Sequence, residues 1–327
     1  MSDYPPWVWN TPEHAGFRAT RKYYSAAEGP IDPTKVKLPS PFVVVVVGGS
    51  KGIGAGIAKA YAQAGASAIV VTSRKAADLH AVAAELARVQ PETKVVQHAV
   101  DVTSEAQVRE LSAMVESTFG RLDVLVANAG VAPGLIPDDT LPVNEVQSNG
   151  TKRKAYRFRP TVAAENVADF TRVVNTNFVG SLIVATSFLP LLQKTRDGPQ
   201  TLIFSSSGSS LDTSSQLAPA SYNISKMAVN RLAEHIHEDH FEKDGVVAIA
   251  LHPGCIQTPI SVDYPPLWDN ILTDDISLPG GVCVWLTAEK RGWLSGRYYC
   301  ANWDVDELLS RKNEIVERDL FKMRLVL

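Results

Sequence analysis

The chain has 327 residues, 45% of them hydrophobic, enough for one large α/β domain or two small ones with a sizeable core. A formal net charge of −3 and a pI near 6.2 exclude a global basic field for nucleic acid or an anionic membrane. No apolar run in the sequence reaches spanning length, and the N-terminus lacks the apolar core of a secretory signal. Asp3, Glu13, Glu28 and Asp32 argue against a transit peptide, and the final Arg-Leu-Val-Leu is not a peroxisomal address. Cys255, Cys283 and Cys300 form no C-x-x-C, so reduced thiols in a cytoplasmic protein are expected.

Residues 1–41 carry Tyr4, Trp7, Trp9, Tyr23 and Tyr24 among seven prolines and show no sustained period. They read as an irregular N-terminal extension, and the aromatics predict packing on the body or on a neighbouring subunit. The run from Phe42 to Gly54, FVVVVVGGSKGIG, then reads as a strand covered on both faces, a glycine turn and the start of a helix. That helix runs to about Ala64, with Gly65 behind it. A strand over Ala68–Thr72, a helix to about Val89, a strand over Lys94–Val100 and a helix capped by Thr103 or Ser104 follow. Leu122–Ala127 is a further strand that enters Asn128-Ala129-Gly130. This alternation predicts the α/β class: a Rossmann-type doubly wound parallel sheet flanked by helices in three layers.

Residues 131–162 interrupt the rhythm with prolines, Asn149-Gly150 and a basic run, Lys152-Arg153-Lys154 to Arg157 and Arg159. A connection this long is usually functional or disordered. A long helix from about Ala163 to Leu192 contains Asn177, Thr201–Ser205 is a strand, and a helix from about Ser221 to Glu242 carries Tyr222 and Lys226. Val246–Leu251 is a strand ending in His252-Pro253-Gly254. After it come a substrate-covering segment (259–279), a helix over Gly281–Ala288, a last strand over Gly296–Ala301 and a charged C-terminal helix (305–323). With no internal linker, 42–327 reads as one domain.

Chemistry enters at the glycine turn. The N–H groups at the start of a helix and its positive dipole end make a phosphate site, and glycine lets the ligand approach the backbone. Gly48, Gly52 and Gly54 are spaced G-x-x-x-G-x-G, which is not the common dinucleotide fingerprint. A fold of this kind that prefers NAD places an acid about 20 residues on, whereas Arg accommodates a 2′-phosphate. Here the second strand leads to Ser73-Arg74, no acid follows until Asp78, and Lys51 adds charge within the turn; the expected cofactor is NADP(H). Tyr222 and Lys226 are four apart on one helix face, where an ammonium favours the phenolate. His235, His237 and His240 lie on a charged helix face and complete no ligand set, so no metal is expected.

Taken in order, Gly48-Gly49-Ser50-Lys51-Gly52-Ile53-Gly54, Asn128-Ala129-Gly130, Asn177, the serines after the fifth strand, Tyr222-x-x-x-Lys226 and Pro253-Gly254-x-x-x-Thr258 resemble the short-chain dehydrogenase/reductase family from about Val43 to Ala301. The resemblance implies that Tyr222 is the general acid that protonates a substrate carbonyl and that Lys226 lowers its pKa and holds the nicotinamide ribose. It implies that Asn177 holds a water in the proton relay and that a serine bonds the carbonyl oxygen. Ser206 is chosen for that role, with Ser207 as runner-up. By the same resemblance Gly48, Ser50, Lys51, Gly52, Ile53 and Gly54 hold phosphate, and Ser73 and Arg74 face the 2′ position. Asp101 and Val102 contact adenine, Asn128, Ala129 and Gly130 line the cofactor cleft, Ile256 and Thr258 approach the carboxamide, and Pro253 and Gly254 belong to the same cofactor-binding set. Homodimers or homotetramers are the family's usual assemblies. Val47 stands where the family usually has Thr and Ala127 where it often has Asn, so two stabilising hydrogen bonds are expected to be lost and the turn to lean on packing.

Tyr264, Pro265, Pro266, Leu267, Trp268, Ile271 and Leu272 predict an apolar, aromatic cover and hence a bulky hydrophobic ketone or secondary alcohol as substrate. Asn302-Trp303-Asp304-Val305-Asp306 is expected to cap the final helix and pack the last strand, or to close the cleft. The predicted activity is NADP(H)-dependent hydride transfer at a CH–OH/C=O pair. A redox-neutral isomerase, cyclase or dehydratase is the first rival; a non-catalytic NADPH-binding interaction protein that uses the basic insert is the second.

Overall fold

The computed structural model describes residues 4–11, 13–138 and 156–325. Seven parallel strands form one sheet: β1 (Val43–Val47), β2 (Ala68–Ser73), β3 (Lys94–Ala99), β4 (Val124–Ala127), β5 (Thr201–Ser205), β6 (Val247–His252) and β7 (Arg297–Cys300). Their spatial order is β3-β2-β1-β4-β5-β6-β7. The valine run is apolar throughout because alternate residues serve two cores. Val44 and Val46 join the layer that contains α1 (Gly52–Gln63), while Val43, Val45 and Val47 join the layer on the other face.

The chain winds outward in both directions from β1 and β4, whose registered pairs run from Val44 opposite Val124 to Val47 opposite Ala127. A crevice therefore opens beyond their carboxyl ends, the usual ligand site of an open α/β sheet. The remaining helices are α2 (His80–Val89), α3 (Glu105–Phe119), α4 (Val167–Val174), α5 (Gly180–Lys194), α6 (Ala220–Asp244), α7 (Leu278–Ala288), α8 (Val305–Ser310) and α9 (Lys312–Glu317).

Four expectations change. The long helix starts at Val167, behind an Asn166 cap that accepts from the Asp169 N–H at 3.0 Å, and a π-turn at Asn175–Val179 separates α4 from α5. Taken together, 167–194 is long and apolar enough to cross a membrane, contrary to the sequence reading. In the fold, Val173, Val184, Phe188, Leu191 and Leu192 of this helix are buried. The C-terminal helix is two short ones. Asp319 and Phe321 take positive φ, and the Phe321 carbonyl accepts from the Tyr298 N–H at 2.9 Å, so the end of the tail is captured beside β7. His237 is half-buried against the Phe241 ring at 5.0 Å rather than solvated.

The N-terminal arm lies on the body as a series of short 3-10 turns, with Val8, Phe17, Tyr23, Tyr24, Ile31 and Leu38 in the same core layer as α1 and α7. The basic run Lys152-Arg153-Lys154, with Asn149-Gly150, falls outside the described residues. On either side of that stretch, Ile136–Pro137 pairs antiparallel with Tyr156–Arg157. Arg159 holds the Gly134 carbonyl at 2.9 Å and Asp169 at 3.4 Å.

Candidate active site

On the nucleotide side, Gly48 has φ +80° and donates its N–H to Thr72 Oγ1 at 3.2 Å, and Gly49 donates to the Thr72 carbonyl at 2.9 Å. Asn128 Nδ2 donates to the Gly48 carbonyl at 2.9 Å. The expectation that the turn leans on packing is thus corrected: Thr72 of the neighbouring strand and Asn128 supply side-chain bonds that Val47 and Ala127 cannot. Gly54 packs so closely that a Cβ there would lie 2.1 Å from the Gly48 oxygen. Lys51 occupies the N-cap of α1 with extended backbone and no capping side chain, which leaves first-turn N–H groups beside Ser50, Gly52 and Ile53 for an anion. This uncapped helix start against a close glycine turn fits a dinucleotide phosphate.

Lys51 and Arg74 are both exposed, and among the described residues neither is held in an ion pair. Ser73 Oγ accepts from the Lys75 N–H at 3.3 Å. Asp101 Oδ1 accepts from the Thr103 hydroxyl at 2.7 Å and its N–H at 2.9 Å; these bonds, with Arg74 nearby, hold the carboxyl below its ordinary pKa. Val102 is buried under Gly180, where a Cβ would meet it at 2.9 Å. Gly130 borders two catalytic candidates at once, since a Cβ on it would sit 3.2 Å from Asn177 Oδ1 and 3.7 Å from Lys226 Nζ. Ala129 lies against Gly48. Pro253, Gly254, Ile256 and Thr258 follow β6 around the same crevice, and Thr258 faces Gly52.

Three elements converge beside these residues. Lys226 sits one turn after Tyr222 on α6, its Nζ 5.6 Å from the Tyr222 ring centroid, and donates to the Ser205 carbonyl at 2.6 Å. Burial pushes the Lys226 pKa down to about 8. Burial raises the Tyr222 phenol, and the Ser207 side chain beside it opposes that rise.

Ser206 does not occupy the place expected of it. It is buried, and its hydroxyl donates to Asn230 Oδ1 at 2.5 Å, while Asn230 Nδ2 donates to Ser210 Oγ at 2.9 Å. Ser206 thus props the loop from inside, and its neighbour Ser207 meets Tyr222, because successive residues leaving a strand face opposite ways. Asn177 lies in the π-turn, buried. It accepts from the Val131 N–H at 2.8 Å and donates to the Val131 carbonyl at 3.1 Å and to Ser225 Oγ at 3.2 Å. Its side chain pins the segment after Gly130 to α6. Its own carbonyl accepts from Ser181 Oγ at 2.6 Å.

Tyr222 and Ser207 open onto a cavity of about 540 Å³. Tyr264, Trp268, Ile271 and Leu272 line it as the sequence suggested; of Pro266 and Leu267 only the backbone is described. The Phe158 ring packs edge-on against Tyr264 at 5.0 Å and Trp268 at 6.5 Å. Sequence reasoning missed Phe158, Trp7, Phe17 and His252, all of which line the cavity. The only signal for them was the aromatic content of the extension and the position of His252 at a strand end. His252 Nδ1 accepts from the Gly208 N–H at 3.0 Å, and burial pushes its pKa down to about 3, so it is a neutral imidazole with its proton on Nε2.

The sequence profile described as short chain dehydrogenase matches residues 42–266. The chain belongs to the short chain dehydrogenase family. It is 38% identical over 320 residues to the short chain dehydrogenase pgmD of Aspergillus terreus, covering 96% of each chain. It is 32% identical to the short chain dehydrogenase mpl6 of Monascus purpureus, covering 97% of this chain and 99% of that one. Among solved structures, a short-chain type dehydrogenase/reductase from Mycobacterium marinum superposes with a TM-score of 0.64 at 23% identity, over 83% of this chain and 97% of that one. A short chain dehydrogenase from Burkholderia cenocepacia in complex with NADP gives 0.64 at 20% identity, over 81% and 97%. The family makes the chain an oxidoreductase with a nicotinamide cofactor.

Proposed function

We propose that this short chain dehydrogenase is an NADPH-dependent carbonyl reductase and alcohol dehydrogenase for a bulky hydrophobic ketone or secondary alcohol. The observation that carries the reading is Tyr222, with Ser207 beside it, at the edge of a cavity of about 540 Å³ with aromatic walls. When bound, the nicotinamide supplies or accepts the hydride at the carbonyl carbon. Tyr222 gives a proton to the carbonyl oxygen in reduction and takes it back in oxidation. Ser207 donates to the same oxygen and holds it within reach. Lys226, fixed on the Ser205 carbonyl, places a positive charge beside the phenol and ribose. Asn177 keeps the floor of the cleft in register with α6.

The exposed Lys51 and Arg74 support preference for the 2′-phosphorylated cofactor. The three buried, unpaired cysteines suit a reducing, cytoplasmic setting. The outward Ile224 and Met227 of α6 support association with a second copy. NADPH consumption against a panel graded from small aliphatic to polycyclic ketones tests the reading. Turnover restricted to small polar carbonyls removes the substrate class, and none with any carbonyl or alcohol removes the reaction.

A further inference from the structure

The arm passes within one residue of the catalytic serine. Phe17 seats on Gly208 so tightly that a Cβ there would lie 2.6 Å from Phe17 Cζ, and the same ring meets His252 edge-on at 5.4 Å. Trp7 packs edge-on against Phe17 at 5.1 Å and, half-buried, presents its indole to the cavity that Tyr222 and Ser207 open onto.

The tail holds the arm in that place. Trp303 Nε1 donates to the Gly16 carbonyl at 2.8 Å, the Asp304 N–H donates to Thr20 Oγ1 at 3.1 Å, and Asn302 exchanges two bonds of 2.8 Å with the Tyr24 backbone. Asn302 Nδ2 also donates to Asp274 Oδ2 at 2.9 Å, which accepts from the Cys255 N–H at 2.6 Å. One short chain of bonds thus ties the arm to the segment that follows β6. The match to the two fungal relatives spans 96–97% of the chain and so takes in most of the arm.

We propose that the N-terminal arm is a working wall of the substrate site, and that Trp7 selects a flat, extended aromatic carbonyl compound of two or three fused rings. The proposal rests on the reductase reading above and names its substrate class. The physical ground is that two aromatic groups from distant segments, Trp7 with Phe17 and Phe158 with Tyr264 and Trp268, border one cavity. Such rings favour offset and edge contacts with another ring over those with a flexible chain, whose rotors would have to be frozen.

The test compares wild type, Trp7→Ala, Trp7→Phe and Trp303→Phe with 2-acetylnaphthalene, 2-octanone and 2-butanone as substrates. Calorimetric binding of 2-naphthol to the NADP⁺-loaded protein is measured alongside. Trp7→Ala is expected to raise KM for the naphthyl ketone and Kd for 2-naphthol by about tenfold, several-fold more than it raises KM for 2-butanone, with NADPH affinity unchanged. Trp7→Phe restores most of the loss. Trp303→Phe, which keeps a ring but cannot bond Gly16, gives a smaller loss of the same selectivity.

Equal losses for all three ketones, no change, preference for the octyl chain, or no binding of 2-naphthol to wild type would each overturn the proposal. Binding of 2-naphthol that depends on Trp7, in a protein that never consumes NADPH, refutes the reductase reading and leaves the arm's role standing.

Discussion

The nucleotide side of the cleft is shaped by the turns at the ends of adjacent strands and the helix start behind them; its substrate side is shaped by side chains drawn from five separate segments. Around Gly48 the contacts are Thr72 Oγ1 of β2, Asn128 Nδ2 just after β4 and the Gly49 N–H on the Thr72 carbonyl, all brought there by neighbouring strands. Around Tyr222 they are Ser207 from one loop, Phe158 from another, Tyr264 and Trp268 from the segment after β6, and Trp7 and Phe17 from the arm. A phosphate site needs only donors at a helix start and room for the ligand, so one arrangement serves any dinucleotide. A substrate site has to distinguish molecules by shape, and side chains brought from far apart can be exchanged without disturbing the sheet.

This division can be broken or sharpened by measurement. The largest effect is expected at the point where both sides meet. Tyr222→Phe should lower kcat by about 10³-fold or more, the upper part of the range for a general acid, with NADPH affinity unchanged by fluorescence titration. Wild-type turnover would take Tyr222 out of the chemistry.

Next, Ser207→Ala should lower kcat by about 10²-fold with little change in Tm. Ser206→Ala should do the reverse, lowering Tm through the lost bond to Asn230 while kcat stays within a few-fold. Interchanged results would restore Ser206 as the carbonyl contact.

On the nucleotide side, Arg74→Ala should raise KM for NADPH by about tenfold through loss of a charge-assisted phosphate bond and leave KM for NADH unchanged. An equal effect on both cofactors would place Arg74 away from the 2′-phosphate.

The smallest effect concerns the bonds between the arm and the segment after β6. Burial pushes the Asp274 pKa up to about 6 from an ordinary 3.8, and among the described residues its buried Oδ1 has no hydrogen-bond partner. A carboxyl with a raised folded-state pKa binds a proton more tightly when folded. Its contribution to stability is therefore present below the unfolded value and lost as pH rises through about 6. Asn in its place keeps an acceptor for Cys255 and Asn302 and loses the charge. Asp274→Asn should therefore be more stable than wild type at pH 7.5, by up to about 2–3 kcal/mol, with the difference vanishing near pH 4. Unfolding midpoints that differ equally at both pH values would show that the charge is not the cause.

The glycine turn, the parallel sheet implied by alternating elements and the Tyr222/Lys226 pair were legible in the sequence because each is set by local periodicity or by short spacing, while Asn177 was marked only by the family resemblance. The serine was not. Whether Ser206 or Ser207 faces Tyr222 depends on how the chain leaves β5, and Asn230, which is distant in sequence, decides it by taking the Ser206 hydroxyl. The loss of a side-chain bond at Val47 was read correctly from the residue, yet its remedy was invisible: Thr72 reaches Gly48 only because β2 lies beside β1.

The sequence by itself determined a doubly wound α/β chain with a phosphate turn and a Tyr/Lys pair, since backbone conformation and helical spacing are properties of neighbouring residues. Tertiary structure alone decided where the aromatic extension lies. An arm without a period of its own takes its position from Asn302, Trp303 and Asp304 at the other end of the chain, and only that long-range packing brings Trp7 and Phe17 to the catalytic side of the sheet.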